Sequence, residues 1–103
     1  MNIVERNIDL LIELCKNHKV GELYIFGSIL TDKFSDKSDI DFLVQFEKID
    51  ILEYFDNYID FKENLEKLLG RPVDLLENQA IRNPVFLKVV DRDKKLVYER
   101  DLS

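Results

Sequence analysis

Two carboxylates one residue apart, Asp39 and Asp41, follow a Gly27-Ser28 pair after ten intervening residues, and this spacing is the chain's clearest chemical signal. Leu23-Tyr24-Ile25-Phe26 reads as a short apolar strand that ends in the Gly-Ser turn. Asp39-Ile40-Asp41-Phe42-Leu43-Val44 reads as a second strand that opens on its acids. Residues i and i+2 of a strand face the same way, so Asp39 and Asp41 are expected to aim at one spot while Ile40 enters the core. Paired hard oxygen donors suit Mg²⁺ or Mn²⁺, commonly bound through one or two carboxylates plus the phosphates of a nucleotide. Gly27 allows the backbone to approach a phosphate closely, and Ser28 offers a hydroxyl and an N–H to hold it.

A third acid, Asp74, interrupts the apolar run Val73-Asp74-Leu75-Leu76. A charge in a central strand is costly unless it is paired or bound to metal. The alternative is a solvent-facing acid in the alternating pattern of an edge strand.

The elements that must position these residues alternate between helix and strand. Residues 2–18 carry a helical apolar stripe, Ile8, Leu11, Ile12 and Cys15. Gly21 is expected to break that helix, and Glu22–Phe26 to form the first strand. One helical turn over 29–31 and a polar loop over 32–38 lead to the second strand, Asp39–Phe46. Ile51–Leu69 reads as the longest helix, with Leu52, Phe55, Ile59, Leu65, Leu68 and Leu69 on its apolar side and Gly70 as its stop. Pro72–Leu76 is the third strand. Asn83-Pro84 caps a short helix to about Val90, and Lys95–Glu99 is the last strand. The expected class is α/β (α+β): a single domain over 1–103, with a mixed four-stranded β-sheet flanked by helices, covered mainly on one side.

At 103 residues the chain suits one domain with one modest core. Its 46% hydrophobic and 35% charged residues are those of a globular protein. No apolar run approaches the roughly 20 residues of a membrane span, and the first residues lack a signal-peptide design, so the cytoplasm is the expected compartment. A net charge of −6 with scattered Lys and Arg disfavours a long nucleic acid, which needs a continuous basic surface. A nucleoside triphosphate, neutralised locally by metal, is not disfavoured. The single Cys15 allows no internal disulfide and reads as a buried structural thiol. His18, the only histidine, reads as a cation at a helix C-terminus rather than a catalyst.

The arrangement GS-x10-DxD resembles the nucleotidyltransferase motif of the DNA polymerase β superfamily. The surrounding words resemble its smallest branch, the minimal nucleotidyltransferases (MNT) that serve as antitoxins to HEPN-domain toxins. The resemblance is carried by Phe26-Gly27-Ser28, by Ser38 to Val44, by Gly70-Arg71-Pro72-Val73-Asp74-Leu75-Leu76 and by Leu96-Val97-Tyr98. It implies transfer of a nucleoside monophosphate, AMP from ATP, to a hydroxyl. On that pattern Asp39 and Asp41 bind two Mg²⁺ or Mn²⁺ ions. Asp74 binds only the ion that activates the attacking hydroxyl, and Gly27 and Ser28 hold the β- and γ-phosphates. The chain departs from many relatives in one respect: Ile29-Leu30-Thr31-Asp32 stands where they carry Arg, Ala, Arg and Gly. Lys33 or Arg82 is a candidate replacement for the missing cation. Longer relatives bind their acceptor with added domains, so an acceptor that brings its own surface is implied here, namely a HEPN toxin adenylylated on a tyrosine. The alternatives are an antitoxin acting by binding alone and a nucleotidyltransferase acting on a small hydroxylated molecule.

Overall fold

The longest helix, α3, runs from Ile51 to Leu69 as expected. The Asp50 carboxylate accepts from Leu52 N at 3.0 Å at its start, and Gly70, at φ 67°, ends it. In the computed structural model, which describes residues 2–100, this helix follows α1 (Ile3–Arg6), α2 (Ile8–Asn17), β1 (Val20–Phe26), a 3-10 turn (Gly27–Leu30) and β2 (Ile40–Phe46). It precedes β3 (Val73–Glu77), a second 3-10 turn (Asn78–Ala80), α4 (Pro84–Asp93) and β4 (Lys95–Glu99). Met1 and 101–103, which belong to the expected 1–103 domain, lie outside the described residues. Among the described residues no helix is long and apolar enough to cross a membrane.

The strands form the expected mixed sheet, in the order β3-β2-β1-β4. The β2–β3 pair is parallel, with α3 as the crossover such a pair requires, and the other two pairs are antiparallel. One sheet face carries the main core: Leu23, Ile25, Ile40, Phe42, Val44, Val73 and Leu75 meet Leu11, Cys15, Phe61, Leu65 and Leu69 of α2 and α3. The other face carries a small cluster of Phe26, Leu43 and Val90, covered by α4. Asp41 and Asp74 alternate with the main-core residues of their strands and therefore belong to this second face.

The structure departs from the expected elements in ways that have physical causes. The 2–18 helix is broken at Asn7, whose side chain donates to the Ile3 carbonyl at 2.8 Å and so competes with the helical ladder. Lys19, at φ 57°, rather than Gly21, terminates α2. Gly21 instead lies inside β1, where the register slips between Val20 and Glu22. That bulge lets Val20 and Leu23 enter the same core despite their odd spacing. In α3 the inward stripe is Tyr54, Tyr58, Phe61, Leu65 and Leu69. Leu52 and Phe55, expected in the core, are 86% and 69% exposed. The two tyrosines take the inward positions because their rings pack on Phe46 while their hydroxyls reach the sheet: Tyr58 donates to the Leu75 carbonyl and Tyr54 to the Glu77 carboxylate.

His18 ends α2 as a structural residue: Nδ1–H donates to the Leu14 carbonyl at 2.8 Å, and Nε2 meets the Asp60 carboxylate at 2.6 Å. Cys15 is buried, and burial pushes its thiol up to about 12. A thiol-reactive dye is therefore expected to label the unfolded chain and not the folded one, because the thiolate is the reactive species.

Candidate active site

Antiparallel pairing sets Phe26, the end of β1, opposite Asp41, near the start of β2. Parallel pairing sets Asp41 beside Asp74 on β3. Paired neighbours share a sheet face, so the two acids stand side by side at the end of the sheet where the Gly27 turn leaves it. Asp74 is exposed and on an edge strand, as a surface acid would be, and also adjacent to Asp41, as a shared site requires.

Asp39 was expected within β2, but the strand begins at Ile40, whose N–H donates to the Pro72 carbonyl at 3.2 Å. Asp39 lies just before the ladder and is exposed. Its charge still reaches Asp41. Burial pushes the Asp41 carboxyl above the usual carboxylate range, and the neighbouring Asp74 and then Asp39 push it further. None of the three acids forms an ion pair among the described residues.

As they lie, no three acidic, His or Cys side chains among the described residues are gathered closely enough to hold a metal ion. Like charges without a cation between them repel, and the exposed Asp39 and Asp74 are free to turn outward. The donors are nonetheless the hard oxygens that Mg²⁺ and Mn²⁺ take. Burial is the larger cause of the raised Asp41 carboxyl, and the smaller share from Asp74 and Asp39 is what a divalent cation would relieve.

The structure shows a constraint at Gly27 that the sequence did not signal. At φ 79° this glycine holds a left-handed backbone, and a β-carbon there would stand 2.2 Å from Asp41 Oδ2. The Asp41 carboxylate thus occupies the room a side chain would need. Ser28 follows in the 3-10 turn, where its carbonyl accepts from Thr31 N at 2.9 Å and Thr31 Oγ1 at 2.8 Å.

A cavity of about 580 Å³ opens beside this turn, with Gly27 and Asp41 at one end and Phe26, Leu30, Phe86 and Val89 as apolar walls. Its α4 wall is set by Asn83, whose Oδ1 accepts from Val85 N and Phe86 N at 2.9 and 3.3 Å. Phe86 meets Phe26 edge to face, 6.3 Å between centroids. Lys95 lines the cavity; Lys33 and Arg82, the cations considered from the sequence, do not. Lys95 escaped sequence reading because only the pairing of β4 with β1 brings it there. Ile29, at the position where the resemblance implied an arginine, is buried in the main core.

Residues 9–103 match the family described as Polymerase beta, Nucleotidyltransferase. The chain is 35% identical over 86 residues to protein adenylyltransferase MntA of Thermococcus cleftensis, a match covering 84% of this chain and 81% of that protein. In structure it is similar to a candidate minimal nucleotidyltransferase, with a TM-score of 0.75 and 27% identity over 92% of this chain and 95% of that one. It also shares the fold of a chain from the complex of a tri-AMPylated Shewanella oneidensis HEPN toxin with MNT antitoxin. There the TM-score is 0.63 and the identity 21%, over 93% of this chain and 72% of the other.

Proposed function

The chain belongs to the polymerase β nucleotidyltransferase family, and within it we propose a metal-dependent protein adenylyltransferase that moves AMP from ATP to a tyrosine hydroxyl of a HEPN-domain toxin, acting as its antitoxin. The observation that carries the reading is the Asp41 carboxylate seated against Gly27 with Asp74 in register beside it. The partner is inferred from the adenylyltransferase relative and from the AMPylated toxin in the complex of like fold. A long nucleic acid remains disfavoured by the net charge of −6.

In this mechanism Asp39, Asp41 and Asp74 are the residues that would hold Mg²⁺ or Mn²⁺. When bound, the ions stabilise charge on the attacking and leaving oxygens of an in-line displacement. Gly27 and Ser28 fix the β- and γ-phosphates, with Lys95 as the cation on the cavity wall. The acceptor oxygen forms a bond to the α-phosphorus, the bond from that phosphorus to the bridging oxygen breaks, and pyrophosphate leaves. The hydroxyl proton passes to the Asp74 carboxylate and on to water. The apolar walls at Phe26, Leu30, Phe86 and Val89 limit water at the reacting centre.

One observation favours a second reading, an antitoxin that acts by binding alone: with Ile29 in the core, the turn supplies no arginine to the triphosphate. Thermal unfolding separates the two. ATP with Mg²⁺ is expected to raise the melting temperature, since a ligand at about 100 times its Kd stabilises the folded state by about 2.7 kcal/mol. No shift at saturating nucleotide contradicts the enzymatic reading.

A further inference from the structure

We propose that Arg71 is the positioning residue that sets the place of Asp39; this rests on the reading that Asp39 helps to hold metal. Asp39 lies outside the sheet ladder, so its backbone needs other anchors, and both come from the segment leading to Asp74. On one side, Arg71 Nη1 donates to the carbonyls of Ser38 and Ser35 at 3.4 and 3.1 Å. On the other, the Pro72 carbonyl accepts from Ile40 N at 3.2 Å. Asp39 is therefore bracketed by two consecutive residues, and Asp74 follows two positions after them.

The clamp is well built. The Arg71 guanidinium lies over the Phe34 ring, 4.9 Å from its centroid, and Phe34 in turn packs against the main core. Its Nε is buried there without a hydrogen-bond partner, so the placement rests on the Nη1 bonds and the Phe34 contact. The turn it grips is closed on itself: Ser38 N donates to the Ser35 carbonyl at 3.0 Å, and Ser35 N to Ser38 Oγ at 3.0 Å. A turn that rigid transmits the position of its carbonyls to the next residue, Asp39. Arg71, with the Pro72 carbonyl on the other side, thus sets the distance between the Asp39 loop and the strand of Asp74.

The test uses the full chain, Mn²⁺ and a non-hydrolysable ATP analogue. Arg71→Ala is expected to weaken Mn²⁺ binding about 10-fold or more, as loss of a residue supporting a metal ligand does. It should also speed amide hydrogen exchange at residues 35–40 in the metal-free protein. Arg71→Lys, which keeps one donor, should fall between. Leu65→Ala, a core change on α3 that touches neither the Arg71 hydrogen bonds nor the acids, should lower the melting temperature without moving Mn²⁺ affinity, which separates positioning from plain stability. An Arg71→Ala or Arg71→Lys protein that folds and binds Mn²⁺ as the parent does, or unchanged exchange at 35–40, overturns the proposal. A parent chain that binds no Mn²⁺ at all overturns the function reading and this one together, and is seen before any variant is made.

Discussion

Asp39→Asn combined with Asp41→Asn is expected to abolish AMP transfer and antitoxin protection while leaving a chain that still folds. Both substitutions are nearly isosteric, and both remove carboxylates that no cation offsets in the metal-free protein. The loss of transfer should be about 10²–10³-fold or more, the scale of removing a group that stabilises transition-state charge. Stability should move the other way at neutral pH. A carboxyl whose value is raised in the folded state favours folding only when protonated, so its contribution is present below the ordinary carboxylate value and lost as pH rises through the raised one. The Asn variant escapes that loss. Its advantage in melting temperature should therefore appear at neutral pH and vanish below the ordinary carboxylate value. An Asn variant less stable than the parent at neutral pH would mean that the acids are not in mutual conflict.

Of the three glycines, Gly27 is where an added methyl group should do most damage. The left-handed backbone alone makes it unfavourable by about 1–2 kcal/mol, and the added carbon would meet Asp41 Oδ2 at 2.2 Å. Because the side chain of Asp41 is the more mobile of the two, it is expected to swing away, so transfer and Mn²⁺ binding should fail together although most of the fold survives. Combining Gly27→Ala with Asp41→Ala removes the collision, and the double variant should lose less stability than the sum of the singles. Simple additivity in urea unfolding would show that the two residues do not touch.

Much of the frame was legible because local signals agreed with the tertiary arrangement. Asp50 and Gly70 bound α3, Asn83-Pro84 begins α4, and the apolar run after Asp41 makes β2, all as their residue types require. The errors fall where tertiary contact overrides periodicity. Leu52 and Phe55 looked like core, but Tyr54 and Tyr58 take the inward face because their hydroxyls find acceptors on β3. Gly21 looked like a helix stop and is instead a strand bulge.

The site shows the same division. Gly27, Asp41 and Asp74 were visible as residue types at meaningful positions. The seat of Asp41 over Gly27, the clamp of Arg71 and the approach of Lys95 all depend on pairings between segments distant in sequence, which no local pattern carries.

The central claim is transfer of AMP to a protein hydroxyl, and the intact mass of the acceptor reads it directly. The chain is incubated with ATP, Mg²⁺ and a HEPN-domain protein of the kind proposed as its partner, and that protein is then weighed by mass spectrometry. A gain of one or more AMP groups is expected, mapped to a tyrosine by fragmentation and absent with the Asp39→Asn, Asp41→Asn variant. An unchanged partner mass, with that variant still protecting cells as well as the parent does, would contradict it and leave an antitoxin that works by binding alone.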